Sequence, residues 1–431
     1  MHHDVVVVGG GAGGLELAAR LGRSLGRRAG PRRVLLVDRS VFHIWKPTLH
    51  EVAAGTLDSH QEGLSYTVLA RRNHFGFTLG ELRGLDAANR TLRLGAIHDE
   101  HGKLLVPERS LSYRWLVLAI GSGSNFFGTP GAEHAYVLEQ TADAERFRRH
   151  LQAAFTRSAF AADKRLGIVI VGGGATGVEL SAELIEAHQE TLASLDSENA
   201  FRLDLTIVEA APRILAGLPE RISAQAKTAL ERKQVRVLVD TKVQALQPDR
   251  LVTSHGEIQA DLIVWAAGIK AAEANAGFGL ATTKANQFIV NEKLETSVFG
   301  IYALGDCAAC PWGGGPKNEG KWVPSRAQAA HQQASFLYAT LKCLLQEREP
   351  SGQFRYKDFG SLVSLGENKG VGNLMGGLGG RNFFVEGLLA KWMYMSLHLM
   401  HHRAILGTSG TFVLALARLL QRRVSGRLKL H

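Results

Sequence analysis

The chain has 431 residues, 45% hydrophobic and 21% charged, with 48 glycines. That composition describes an ordered globular protein of two or three domains and excludes a disordered or low-complexity chain. A formal net charge of +10 suits an anionic ligand, an anionic membrane or nucleic acid. No uninterrupted apolar run of about 18 residues occurs, so no spanning helix is expected. With a nucleotide-type strand already starting at Asp4, no secretory signal is expected.

Residues Asp4 to Val8 are an apolar strand running into Gly9, Gly10 and Gly11, and then Ala12, Gly13 and Gly14 open a helix patterned through Leu15, Leu17, Ala18 and Leu21. Gly9 permits the tight turn, Gly11 lets a pyrophosphate approach the backbone, and Gly14 lets the helix pack on the strand. The helix N-terminus supplies N–H donors and partial positive charge. Strand Val34 to Asp38 ends in a carboxylate suited to a ribose diol, and GRRAGPRR (26–33) reads as a loop insertion between them.

The pattern then repeats. Strand Leu166 to Val171 leads into Gly172, Gly174 and Gly177, followed by a helix through Val178, Leu180, Ala182 and Leu184. Its acidic partner is Glu209, at the end of strand Leu205 to Glu209, after a longer helix and loop over 187–201. One such fingerprint is weak, whereas two with matching strand–turn–helix–strand–carboxylate context predict two dinucleotide sites. Glu209 accepts from a ribose 2′-OH and repels a 2′-phosphate, which favours NAD(H) over NADP(H), with Arg213 nearby to soften that preference.

Three further strands end in glycine: Arg114 to Gly121, Asp261 to Gly268, and Val298 to Gly305-Asp306, where the carboxylate is placed to accept from a ribityl hydroxyl. The three cysteines, Cys307, Cys310 and Cys343, are too few and too odd in number for a disulfide framework, which points to a reducing compartment. A lone Cys307-x-x-Cys310 lacks the second pair of a zinc site, so it is read as structural or incidental and no metal is expected. RAQAAHQ (326–332) predicts an alanine-rich helix with Gln328, His331 and Gln332 on one face.

From Gly387 onward there is no acid, while Lys391, Arg403, Arg418, Arg422, Arg423, Arg427 and Lys429 are basic. Leu388, Leu389, Trp392, Met395 and Leu399 recur at helical spacing, flanked by Lys391, His398 and His402. A break at Gly407-Thr-Ser-Gly410 precedes a second apolar helix from Thr411. Apolar helices edged by cations suit an interfacial anchor on an anionic lipid surface. The alternatives are a dimer interface or a packed helix pair with a solvated tail. No reader motif accompanies the charge, so nucleic acid is not expected.

Those signals, in that order, resemble the two-dinucleotide-binding-domain flavoproteins, and within them the bacterial type II, non-pumping NADH:quinone oxidoreductases. The most specific stretches are HIWKPTLHEVAAGTLD (43–58), IVIVGGGATGVELSAEL (168–184), ALGDCA (303–308), RAQAAHQ and YKDFGSLVSLG (356–366). The resemblance implies an α/β fold of two Rossmann-like domains plus a C-terminal helical membrane-association region. Its expected boundaries are 1–160 and 285–345 for the FAD unit, 161–284 for the NADH unit and 346–431 for the last region.

It further implies FAD at Gly9, Gly11, Ala12, Gly13, Gly14, Asp38, Arg39, Lys46, Pro47, Ala119, Gly121, Gly305 and Asp306. NADH is expected at Gly172, Gly174, Ala175, Thr176, Gly177, Glu179, Glu209, Ala267 and Gly268, and the quinone beside Gln328 and Gln332. The implied chemistry is hydride transfer from NADH to FAD N5 and two-electron reduction of a membrane quinone, by a peripheral homodimer at the cytoplasmic face of the inner membrane. The stretch 39–55 carries no cysteine, which separates the chain from the disulfide reductases and the sulfide:quinone oxidoreductases.

Two residues are singled out for catalysis. Glu179 is expected near the stacked rings, placing nicotinamide or relaying protons, against the alternative of a surface glutamate. Lys46 is expected to stabilise negative charge on the reduced flavin, against a lysine fixed in a turn by Pro47. His43, His50, His331 and Gln333 receive no role. Competing readings are a soluble FAD-dependent NADH oxidase or electron-transfer-protein reductase, and a non-catalytic NADH-responsive sensor.

Overall fold

Strand His2–Val8 ends in four consecutive valines, buried on both faces as a central parallel strand requires. The computed structural model of the chain describes residues 2–313, 320–366, 370–375, 382–386 and 388–424. His2–Val8 lies between Val34–Asp38 and Arg109–Leu118, parallel to both, with Gly76–Leu79 beyond the former. Ile301–Ala303 adds a parallel strand on the other side of Arg109–Leu118, and an antiparallel hairpin, Leu82–Asp86 with Thr91–Leu94, completes seven strands.

The second sheet has four parallel strands in the order Arg236–Leu238, Arg202–Val208, Arg165–Val171 and Leu262–Trp265. A three-stranded meander follows from Val243–Gln247 to Gly256–Gln259. Each sheet therefore places its glycine turn at the carboxyl end of a central strand, where open α/β sheets bind ligands.

Three expectations change. Residues 26–33, read as a loop, are helical: the helix Ala12–Arg33 breaks only at Gly26, with φ 76° and ψ 177°. Glycine is required at 22 and 30 because these positions lie against the carbonyl oxygens of Asn73 and His74, where a side chain would collide. The strand expected from Val298 shortens to Ile301–Ala303, since Gly300 turns through φ 82°. The break near Gly407 is real but narrow: Leu388–Val424 is helical on both sides of Gly407, which has φ 72° and ψ 174°. Lys391, Trp392 and Met395 have side chains outside the described set, as do Arg422 and Arg423, and Arg427 and Lys429 lie outside the described residues.

The C-terminal helix is fastened to the first unit at that break. Arg23 donates to the Ala404 carbonyl at 2.8 Å, the Asn73 amide to Ile405 at 2.9 Å and Arg72 to Leu406 at 2.6 Å. These are the orphan carbonyls at the end of a helical segment, and guanidinium donors also suit the negative pole there. Beyond the break, Arg418 pairs with Glu62. Among the described residues, no helix is long and apolar enough to cross a membrane.

Candidate functional site

The two glycine turns are built alike. Val8 pairs with Leu118 and Val171 with Trp265, so the next residues, Gly9 and Gly172, are pressed against the backbone of Ala119 and of Ala266–Ala267. Both glycines have φ above 100°, and neither has room for a Cβ. Gly14 and Gly177 face the carbonyl oxygens of Gly9 and Gly172 just as closely, which seats each helix on its strand. Gly13 is likewise pressed on Leu304 and Ala330, joining the first helix to the helix Ala327–Leu345.

The predicted carboxylates lock these turns. Asp38 accepts from Gly10 N at 2.6 Å and Ser40 N at 2.7 Å, and Glu209 from Gly173 N at 2.6 Å and Ala211 N at 2.8 Å. Burial raises the Asp38 pKa, opposed by those backbone donors. The Arg213 guanidinium near the Glu209 site donates to the Ala216 and Leu218 carbonyls, each at 2.8 Å.

A dinucleotide fits both turns. A Cβ added at Gly11 or Gly174 would meet nothing within 4 Å, and no side chain caps either following helix. The helix starts therefore face open space with Ala12 and with Ala175 and Thr176 in their first turns. Gly121, Gly268 and Gly305 turn with φ of 71°, 69° and 72°. Asp306 accepts from Ser122 Oγ at 3.2 Å, and Lys46, exposed and followed by Pro47 in a short 3₁₀ turn, donates to the Ser122 carbonyl at 3.0 Å. Arg39 is exposed next to Asp38.

Glu179 is buried rather than on the surface, at 7% exposure. Its carboxylate accepts from Ser364 N at 3.1 Å, and its second oxygen stands 3.7 Å from His50 Nδ1. Burial, with Glu51 and Glu183 nearby, raises its pKa to about 8, so it is a neutral acid at pH 7. His50 is buried too, with its pKa lowered to about 4, and its Nε2 has no hydrogen-bond partner. At 3.7 Å the two are neighbours rather than a hydrogen-bonded pair: a buried carboxyl that keeps its proton at pH 7 stands beside a neutral imidazole that bonds the Pro47 backbone. Sequence reading missed His50, because its link to Glu179 spans two units.

The glutamine helix also differs in detail. Gln328 donates to the Gly360 carbonyl at 2.9 Å and accepts from Phe359 N, while Gln332 donates to the Lys357 carbonyl at 2.8 Å and accepts from Lys357 N at 3.0 Å. Both amides thus hold the 357–360 backbone. Gln333 and His331, given no role from sequence, are engaged: Gln333 is buried and accepts from Gly305 N at 2.7 Å, and His331 Nδ1 meets the buried Glu16 carboxylate at 2.6 Å. Cys307 and Cys310 are buried, with thiol pKa values raised to about 12 by burial, far from thiolate chemistry at neutral pH.

A histidine chain joins the C-terminal helix to the first glycine turn. His401 Nε2 meets His43 Nε2 at 2.8 Å, and His43 Nδ1 meets the Gly10 carbonyl at 2.9 Å, which also accepts from Tyr66 at 2.8 Å. Trp45 packs over His401 with ring centres 4.2 Å apart. Burial lowers His43 and His402 to about 4 and His401 well below the usual range. Unfolded histidines take up protons near pH 6.5 that these refuse, so stability is lost as pH falls from about 6.5 toward about 4, by several kcal/mol in sum. Glu179 works oppositely, costing stability as pH rises from its unfolded range toward 8. Denaturant midpoints should therefore drop between pH 7 and pH 5, and a flat profile would contradict the neutral histidine chain.

The chain matches the model of the pyridine nucleotide-disulphide oxidoreductase family over residues 3–334. It is 38% identical to the type II NADH:quinone oxidoreductase of Haemophilus influenzae, across 99% of this chain and 100% of that protein. The chain belongs to the type II NADH:quinone oxidoreductases. That family's Staphylococcus aureus member is 28% identical over 86% of this chain and 90% of that one. Among solved structures, NDH2 of Plasmodium falciparum in complex with NADH superposes with a TM-score of 0.82 at 18% identity, over 99% of both chains. The sulfide:quinone oxidoreductase of Aquifex aeolicus shares the fold, with a TM-score of 0.72 at 16% identity over 94% and 92% of the two chains. Within the type II NADH:quinone oxidoreductases, the buried thiols and the cysteine-free stretch 39–55 of this member agree with a site that does no disulfide chemistry.

Proposed function

We propose that the chain binds FAD at the first glycine turn and NADH at the second, and reduces a membrane quinone without pumping protons. The observation that carries this reading is the duplicated turn, with both units meeting at the Glu179–His50 pair. FAD, when bound, supplies the two-electron carrier between NADH and the quinone. The protein's residues do the rest. The N–H groups at the Gly11 and Gly174 helix starts hold pyrophosphates, and Asp38 and Glu209 face ribose diols while closing their loops.

Glu179, neutral at pH 7, places the nicotinamide and holds a proton for quinone reduction. Lys46, extended across Ser122 toward Asp306, places positive charge where the flavin is expected. Gln328 and Gln332 shape the quinone slot by holding the 357–360 backbone. Their alanine variants should raise quinone KM about tenfold while leaving reduction by NADH in single turnovers nearly unchanged. Equal effects on both half-reactions would place them elsewhere.

Phe412, Val413, Leu416 and Leu420 fall at helical spacing, with exposures of 68%, 64%, 45% and 58%. An exposed apolar face on a helix flanked by basic residues fits a peripheral seat on the cytoplasmic face of the inner membrane, compatible with a homodimer. A chain ending at Glu386 should no longer pellet with anionic liposomes, and one that still pellets removes the anchor reading. The enzyme reading is tested by steady-state turnover with NADH and NADPH against quinone analogues, with and without lipid. Rapid turnover preferring NADH is expected; flavin reduction without turnover would indicate a sensor instead.

A further inference from the structure

We propose that a half-open cavity between the first glycine helix, the glutamine helix and the C-terminal helix is a binding site for a phosphate group. It holds about 300 Å³, and its charged lining is Glu16, Arg20, Arg23, His331 and Arg403. None of these residues belongs to the nucleotide or quinone sites described above.

The charges inside do not balance. Glu16 is the single acid, and its carboxylate is already shared by Arg20 at 3.2 Å and His331 at 2.6 Å. Arg20 is braced further by Ser335 Oγ at 2.7 Å, so its guanidinium is held in place. Arg23 donates only to neutral acceptors, the Asn73 amide oxygen and the Ala404 carbonyl. Arg403 is exposed, and among the described residues no carboxylate pairs with either Arg23 or Arg403. Burial, and after it the neighbouring Arg20 charge, lowers the Arg23 pKa, and the Glu16 carboxylate only partly offsets them.

An anion seated among them relieves that repulsion. Guanidinium forks arriving from two helices suit a tetrahedral oxyanion better than a single carboxylate. Met400, itself 48% exposed, also lines the cavity, and Leu399 beside it is exposed. The rim is therefore apolar on the helix that carries the exposed face. A phosphodiester with acyl chains, as in an anionic lipid headgroup, matches both features, and a free phosphate compound would use the same guanidiniums.

The experiment uses the full-length holoenzyme in micelles, titrated calorimetrically with inorganic phosphate against chloride at matched ionic strength. Saturable binding is expected, weakened about tenfold by Arg403→Gln and unchanged by Arg71→Gln, an exposed arginine outside the cavity. Flotation on phosphatidylglycerol and phosphatidylcholine vesicles separates the two sources. A larger loss for Arg403→Gln than for Arg71→Gln, on phosphatidylglycerol only, assigns a lipid phosphate. Equal vesicle binding with the phosphate difference retained assigns a free phosphate compound. No saturable phosphate binding, or equal phosphate affinity in both variants, overturns the site. NADH:quinone turnover, read in parallel, keeps this outcome separate from the catalytic reading.

Discussion

Glu179→Gln is expected to lower NADH:quinone turnover by about a hundredfold while the protein folds normally and binds its flavin. The glutamine keeps the carbonyl oxygen that accepts from Ser364 N, and it keeps the volume, so little packing is disturbed. What it removes is a proton held near the operating pH, since burial raises this carboxyl to about 8. A positioned acid of that kind contributes roughly 10²–10⁴-fold. The wild-type rate should also change with pH around 8, as the neutral acid ionises, and that inflection should vanish in the variant. Unchanged turnover together with an unchanged pH profile would reduce Glu179 to a packing residue. A drop in turnover with the inflection retained would mean that another group titrates, with His50 the first to examine.

The second large effect separates the two glycine turns. Gly11→Ala and Gly174→Ala both place a methyl where the protein has open space, with ordinary extended backbone at each position. Neither should disturb the fold. On the proposed cofactor placement, however, each methyl occupies the space through which a pyrophosphate reaches the helix N-terminus. Gly11→Ala should therefore weaken FAD binding about tenfold or more, read by flavin release on dilution, and leave NADH affinity of the retained holoenzyme intact. Gly174→Ala should keep its flavin and raise NADH KM by a similar factor, one pK-sized step of about 1.4 kcal/mol. If the two variants behaved identically, the division of cofactors between the units would be wrong. Gly14→Ala and Gly177→Ala are poorer probes, because their methyl groups strike the Gly9 and Gly172 carbonyls and disturb folding itself.

Much of this was readable along the chain because it is local. A valine strand, a glycine turn and a carboxylate within one unit leave their mark at fixed spacing, and they did so twice. The Asp38–Gly10 and Glu209–Gly173 hydrogen bonds are the folded form of that spacing. The contacts that escaped are those joining distant segments. His331 meets Glu16 across 315 positions, and His43 meets His401 across 358. No periodicity connects such pairs, and each histidine alone looks like an ordinary core or surface residue. Gln333 was passed over because its neighbours share a more suggestive helix face, yet it is the one turned inward to Gly305. The helical run after Gly26 escaped for another reason: glycine and proline signal a loop, but here small residues are required by the close passage of the His74 backbone.

The fastening at Gly407 has a geometric consequence. Because three side chains of the first unit grip the carbonyls of Ala404, Ile405 and Leu406, the segment that follows leaves the body of the protein in one fixed direction. If the exposed Phe412 face rests on a lipid surface, as proposed above, that direction sets how far the glutamine helix stands from it, much as a bracket sets the height of a shelf. One residue inserted after Gly407 would turn the face by about 100° and advance it by about 1.5 Å without altering either nucleotide turn. On the membrane seat proposed above, reach toward an acceptor dissolved in a bilayer would be governed by a helix break that lies outside both glycine turns.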